Sequence, residues 1–342
     1  MTDYKGIQGV SIQSVASDPT LDEGQVWYNN ASYALKLAAI ATNSWATATS
    51  MPAVRSSSNA IGSRTAGLVM GGTSGPGAFP TNYDSSLEYD GTTWTSGGTS
   101  NNKRVASGGG SGTQTSAIVA GGYAAAPGET IGVAASESYD GTTWTTSPNI
   151  NSKSWASSTF GASGNSATYV AGYNGAGAGV QAVENWNGTS WTATGNMNAS
   201  RGYTQSAGTQ TAGISFGGYR WSTFGQPAPS GAQNLTETFN GSSWSTAPNM
   251  PEAVYAHAGT AGGSQTAVLA SGGTVSPNAK TVIYNGSSWA STGSMITGRD
   301  SAGGFGTSAS GVAAGGGNPS GTLSSTEHFN DTIVATKTIT TS

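Results

Sequence analysis

Four of the six arginines in this chain, Arg55, Arg104, Arg201 and Arg299, stand 16 or 17 residues before a pair of glycines. Trp155 and Tyr255 fall near the same place in two further stretches. A guanidinium presents a planar fork of donors that matches a carboxylate or sulfate, and a neighbouring aromatic ring offers a face to a sugar. Two readings stand side by side: a basic residue that ties one stretch to the next, or a ring of ligand-binding groups. Glu137, Glu184, Glu237 and Glu327 recur as regularly, each two residues before an aromatic residue. Glycoside hydrolysis needs two carboxyl groups facing each other across a cleft, whereas a carboxylate that returns at one repeat position reads as a scaffold group. His257 and His328 are 71 residues apart and read as surface or packing residues. There is no cysteine, hence no disulfide and no thiolate chemistry. No catalytic residue, metal ligand or cofactor is expected.

These groups are positioned by a repeat. Tyr89-Asp90-Gly91-Thr92-Thr93-Trp94 returns as Tyr139-Asp140-Gly141-Thr142-Thr143-Trp144 and as Trp186-Asn187-Gly188-Thr189-Ser190-Trp191. It returns again as Phe239-Asn240-Gly241-Ser242-Ser243-Trp244 and Tyr284-Asn285-Gly286-Ser287-Ser288-Trp289. Asp-Gly and Asn-Gly accept the positive φ of a tight turn, so each copy predicts two antiparallel strands and their hairpin. The asparagine copies also match the glycosylation sequon, but as hairpin turns they are assigned no modification. Steps of 50, 47, 53 and 45 residues between Trp94, Trp144, Trp191, Trp244 and Trp289 indicate a repeat architecture. Each of these tryptophans is expected to pack between neighbouring repeats. Before each hairpin comes a Ser/Ala/Gly-rich strand, a tight turn such as Gly112-Thr113-Gln114-Thr115, and an apolar strand ending in glycine, such as Ile118-Val119-Ala120-Gly121-Gly122. That makes four strands per unit in six units. Loops after the second strand carry Phe79, Tyr83, Tyr123, Tyr173, Tyr219, Trp221 and Phe224. They should emerge on the same side as the connections between units, which is where recognition commonly sits.

Composition narrows the function. Of 342 residues 53 are glycine and only 8% are charged, which disfavours long helices, while 10 Trp and 13 Tyr supply a core that disordered chains lack. A net charge of −4 without a basic run argues against nucleic acid. No stretch is apolar enough for membrane insertion and no signal segment opens the chain, so a soluble protein made in a cytoplasm is expected.

Four antiparallel strands, a double glycine after the second, an aromatic in the third and a tryptophan in the fourth resemble the kelch repeat over residues 45–331. The resemblance implies an all-β fold, a β-propeller of six four-stranded blades with seven as the alternative, preceded by an N-terminal arm and hairpin (1–44) and followed by a strand or tail (332–342). The arm should hold a strand at Gly24–Asn29 paired with Tyr33–Leu37. The sixth repeat lacks its tryptophan: either the strand bearing Trp45 completes it, or the tail from Thr332 does. Kelch folds also occur in copper radical oxidases, but their cross-linked tyrosine requires a cysteine. The sialidase Asp-box resembles the hairpin at Gly91, Thr93 and Trp94, with Asp90 one position too late.

The opening Met1–Gly9, the Gly24–Asn29 stretch and the ending Thr336–Ser342 resemble kelch-like virion proteins of marine tailed bacteriophages. That resemblance implies a virion structural protein, tail-associated and present as a homo-oligomer or in many copies. It would contact other virion proteins through its N-terminal arm and bind host-surface polysaccharide through Arg55, Arg104, Trp155, Arg201, Tyr219, Trp221, Phe224, Tyr255 and Arg299. The alternatives are a carbohydrate-active propeller enzyme and a cellular kelch adaptor.

Overall fold

The computed structural model describes residues 13–16, 26–75, 82–105, 110–123, 132–170, 172–174, 179–220, 231–260, 262–274 and 278–338. The chain divides into two units, Met1–Ser44 with Asn330–Ser342, and Trp45–Phe329. Among the described residues there is no α-helix, and strands in antiparallel sheets make up the larger unit.

The hairpins form as the sequence requires. Asp90 Oδ1 accepts the amide protons of Thr92 at 2.7 Å and Thr93 at 2.6 Å, while Gly91 takes a φ of 97°. Asn285 holds Ser287 and Ser288 in the same way, at 3.0 and 2.9 Å. Such a side chain replaces strand pairing at the tip, and the left-handed glycine reverses the chain without a Cβ clash. Tyr89 then lies directly opposite Trp94 with ring centroids 4.5 Å apart, and Tyr139 opposite Trp144 at 4.8 Å. Facing aromatic pairs of this kind stabilise an antiparallel pair beyond the area they bury.

Each hairpin supplies the outer half of a four-stranded sheet. In the first sheet the order is Asn59–Ser63, Ala66–Met70, Ser85–Tyr89, Trp94–Thr99. Four more sheets begin at Gly110–Thr113, Ser158–Ser163, Gln205–Thr209 and Ala258–Gly259. A sixth begins at Gly303–Gly306 and continues through Ser310–Ala314 and Thr326–Thr338 to Ala34–Ala48. These six first strands are neighbours in sequence order, and Gly303–Gly306 returns to Asn59–Ser63. Backbone hydrogen bonds follow the same circuit. The second glycine of each pair donates to the next sheet: Gly72 to Arg104 O (2.7 Å), Gly122 to Ser154 O (3.0 Å), Gly218 to Val254 O (2.8 Å), Gly273 to Arg299 O (2.9 Å) and Gly316 to Arg55 O (2.8 Å). Tyr203 N to Ala156 O joins the third and fourth sheets at 2.6 Å. This arrangement of blade-like sheets is compatible with a β-propeller.

Of the two strands that compete to finish the sixth sheet, the one bearing Trp45 takes the fourth place, with its ring 5.4 Å from Phe329. The tail does not fold back, because Thr326–Thr338 is one continuous strand. Asp331 stands where every other copy has the turn glycine, which takes a positive φ at the hairpin tip, so the signal for reversal is weaker there.

The core lies between sheets. Trp144 packs with Ile61, Leu68 and Met70 of the preceding sheet, and Trp244 meets Phe160 at 6.2 Å. Trp144, Trp191 and Trp244 are buried, whereas Trp94 and Trp289 pack against Phe305 and Phe216 of the preceding sheets but keep a partly exposed edge.

In the smaller unit Val26–Asn29 pairs antiparallel with Ala34–Leu37 across a turn in which Asn29 Oδ1 accepts from Ala31 N and Ser32 N. Gln13–Val15 adds a parallel strand to Val26–Asn29. Trp27 is fully buried.

Candidate functional site

All four repeat arginines are buried at the root of the first strand. Arg104 Nη1 donates to Gly121 O at 2.6 Å and Ala135 O at 2.8 Å, and its Nη2 meets Glu137 at 3.0 Å. Arg299 repeats this with Gly315 O (2.9 Å), Ser325 O (2.8 Å) and Glu327. Arg201 reaches Gly217 O at 2.8 Å and pairs with Glu237. Arg55 faces Leu87 instead of a glutamate; it donates to Gly71 O at 2.8 Å and Ser85 O at 2.9 Å and lies 4.4 Å over the Tyr83 ring. Desolvation pulls Arg55 down to about 10, still cationic at neutral pH. The glutamates also accept backbone amides of the incoming connection: Asn101 N on Glu137 (2.7 Å), Asn198 N on Glu237 (2.8 Å), and Ile296 N and Thr297 N on Glu327. In the second, fourth and sixth sheets the two sequence patterns are therefore one device, which fastens the connecting segment to its own sheet, while Glu184 holds Asn151 N and Ser152 N without an arginine. Guanidinium groups so enclosed do not face solvent.

Trp155 and Tyr255 are not the equivalents of arginine. Ser154 and Val254 occupy the arginine position, as the hydrogen bonds from Gly122 N and Gly218 N show. One residue further on, Trp155 and Tyr255 point to the opposite side because side chains alternate along an extended backbone. The Tyr169 hydroxyl fills the missing guanidinium's space in the third sheet, 2.7 Å from Ser154 Oγ and 2.9 Å from Ser157 Oγ.

What the structure does gather is an aromatic row. Tyr219 lies 4.8 Å from Tyr255, Tyr255 5.9 Å from Tyr203, Tyr203 5.8 Å from Trp155, and Trp155 5.6 Å from Tyr173. Trp155, Tyr203, Tyr219 and Tyr255 are half-buried, each with an exposed part, while Tyr173 lies beneath and donates to Tyr219 O. Burial raises the Tyr203 hydroxyl to about 12, so that ring stays neutral at physiological pH. Trp221 and Phe224 lie outside the described residues, as does Phe79.

Tyr203 leads from this row to the middle of the larger unit. It shares a φ near 53° with Ser57, Ala156, Ala256 and Ser301, the same position of five repeats. Non-glycine residues rarely adopt that conformation. Here it turns an amide toward the neighbouring sheet, as in Ser57 N to Ser301 O (2.8 Å) and Ser301 N to Ala256 O (2.6 Å). Beneath this ring lie two adjoining cavities of about 70 Å³ each, lined mainly by first-strand hydroxyl and amide residues including Ser58, Ser157, Thr204 and Gln205. Ser58 Oγ and Asn59 Nδ2 are buried there without a protein partner. Aromatic faces beside unsatisfied hydroxyls and amides suit a polyhydroxylated, uncharged ligand.

Sequence reasoning missed Gln114, Gln210 and Gln265, which bolt the second, fourth and fifth sheets to their predecessors from the first turn. Gln210 Nε2 donates to Ala167 O at 2.8 Å and Trp186 O at 2.7 Å, and Gln265 to Gly213 O and Phe239 O at 2.9 Å each. The recurring Gln between hydroxyl residues was the available signal. His328 Nε2 sits 2.9 Å from the Tyr89 hydroxyl and His257 is buried in the fifth sheet, so the two histidines occupy different sheets. Among the described residues no three His, Asp or Glu side chains gather as a metal site would require. Neither a scan against protein-family models nor a search of curated proteins gives a match to this chain.

Proposed function

We propose that the chain is a six-bladed kelch-type β-propeller of a tailed bacteriophage particle, tail-associated and displayed in several copies, that holds neutral host-surface glycans. The observation that carries the binding role is the row Trp155, Tyr203, Tyr255 and Tyr219 beside hydroxyl-lined cavities. Sugar C–H faces stack on such rings, and the hydroxyl groups meet the unpaired Ser58 and Asn59 atoms. Burial of the four arginines favours neutral over anionic sugars. The particle role rests on the resemblance of the opening and closing stretches to kelch-like virion proteins, and the N-terminal arm is then the surface for other virion proteins.

The particle role is tested by negative-stain imaging of virions labelled with antibody against this protein. Label at the tail or its fibres is expected; virions free of label, with the protein found only in infected-cell extract, would overturn it.

A further inference from the structure

The fifth sheet breaks the arginine–glutamate rule at both positions. Val254 stands where four sheets carry arginine, since its carbonyl accepts from Gly218 N as Arg104 O does from Gly72 N. Val282, two residues before the strand-three aromatic Tyr284, stands where four sheets carry glutamate. The rest of the cradle is kept. Gly272 N donates to Lys280 O at 2.8 Å, as Gly121 N does to Ala135 O and Gly315 N to Ser325 O. In the second and sixth sheets those same two carbonyls, of the glycine and of its partner, receive the arginine Nη1. The short valines leave a cavity of about 260 Å³ lined by Val254, Val282, Gly272, Lys280, His257 and Glu252.

Two further features mark this space as more than a packing fault. His257 is buried, and neither ring nitrogen has a hydrogen-bond partner, a cost a protein seldom bears without a use for the group. At the edge, Glu252 and Lys280 form an ion pair with both side chains about half exposed, so an incoming cation reaches the carboxylate by exchange with the Lys280 ammonium. Arg55 shows that the carbonyl pair holds a guanidinium in this fold without a glutamate opposite, since its counterpart there is Leu87. Burial lowers His257 to about 3, so the imidazole is neutral and does not repel a cation.

We propose that the fifth-sheet cavity is a binding site for a planar, N–H-rich cation of the guanidinium class. Its head donates to Gly272 O and Lys280 O, its alkyl part lies against Val254 and Val282, and Glu252 supplies the countercharge at the opening. The site is independent of the aromatic row and of its sugar-binding role.

Titration calorimetry on the full chain with ethylguanidinium, paired with spectra of the His257 ring resonances, tests this. Saturable binding is expected, with movement of the His257 signals. Ethylammonium has the same charge and tail but no planar fork, and should bind at least about tenfold more weakly. The tripeptide Gly-Arg-Gly separates the two sources of the head group: if it competes, the site takes an arginyl side chain of a partner, and if only ethylguanidinium binds, a free small cation. The double variant V254R/V282E rebuilds the pair found in other sheets and should abolish binding; Val254→Met, which fills the space without charge, should do so too. Absence of saturable binding, equal affinity for ethylammonium, or unchanged binding by whichever of these variants folds would overturn the proposal.

Discussion

At the scale of single residues the repeat contains its own mutagenesis series. Tryptophans at the start of the fourth strand send Nε1 to a hydroxyl of the preceding sheet: Trp144 to Ser86, Trp191 to Ser136 and Trp289 to Thr236, each at 3.2 Å, and Trp45 to Thr281 at 3.0 Å. The third sheet has Val183 at that position, and Trp244 Nε1 is buried without a partner. Val183→Thr should therefore raise stability by about 1 kcal/mol, the net worth of one buried hydrogen bond, in a denaturant titration; a loss of similar size would show that burying the hydroxyl outweighs the bond. The hairpin aspartates give a pH signature. Asp90 and Asp140 are held well below the usual carboxylate range, chiefly by the amides of Thr93 and Thr143. A folded-state pKa below the unfolded value gives stability that is complete above the ordinary carboxylate pKa of about 4 and is lost as pH falls below it. The variant D90N/D140N, which adopts the asparagine of the other three hairpins, should show a shallower fall in melting temperature than the parent between pH 5 and pH 2. Parallel curves would contradict this.

At the scale of elements, the buried arginine–glutamate pair joins a connecting segment to a sheet. Removing one partner leaves the other charge buried and alone, so Arg104→Met or Glu137→Leu should each cost about 3–5 kcal/mol. Together they should cost less than either alone, since the Val254/Val282 sheet folds with an apolar pair. Additive losses in a double-mutant cycle would assign both residues to separate roles. The hairpins and the order of four strands were legible because Asp-Gly and Asn-Gly turns and facing aromatics are local signals. The function of the arginines was not legible. A regular spacing is the same for a buried clamp and an exposed ring, and only the carbonyls gathered from two distant strands decide between them. Trp155 and Tyr255 fall near the arginine position but one residue beyond it, and in extended chain one step in register reverses the face.

At the scale of the larger unit, the six first strands neighbour one another in order and the last meets the first, tied at five junctions by the amide of a second glycine and at the third by Tyr203 N on Ala156 O. The sequence offered six sheets with seven as the alternative and both candidates for the final strand, without choosing between them. The choice turned on Asp331 in place of a turn glycine and on pairing between segments almost 300 residues apart. The aromatic row was half legible: Trp155, Tyr219 and Tyr255 were named individually, while Tyr203 emerges only when neighbouring sheets bring it between Trp155 and Tyr255. Under the proposed role each contact with a sugar is weak, and display in several copies would supply the avidity. The most direct measurement is binding of the purified protein, presented at several copies per bead, to an array of host envelope polysaccharides, with product analysis of the eluate. The parent protein should retain neutral polysaccharide and release no oligosaccharide, and the W155A/Y255A variant should lose that binding while keeping its melting temperature. Full binding by the folded double variant would contradict the account, and release of oligosaccharide by the parent would replace the binding role with an enzymatic one.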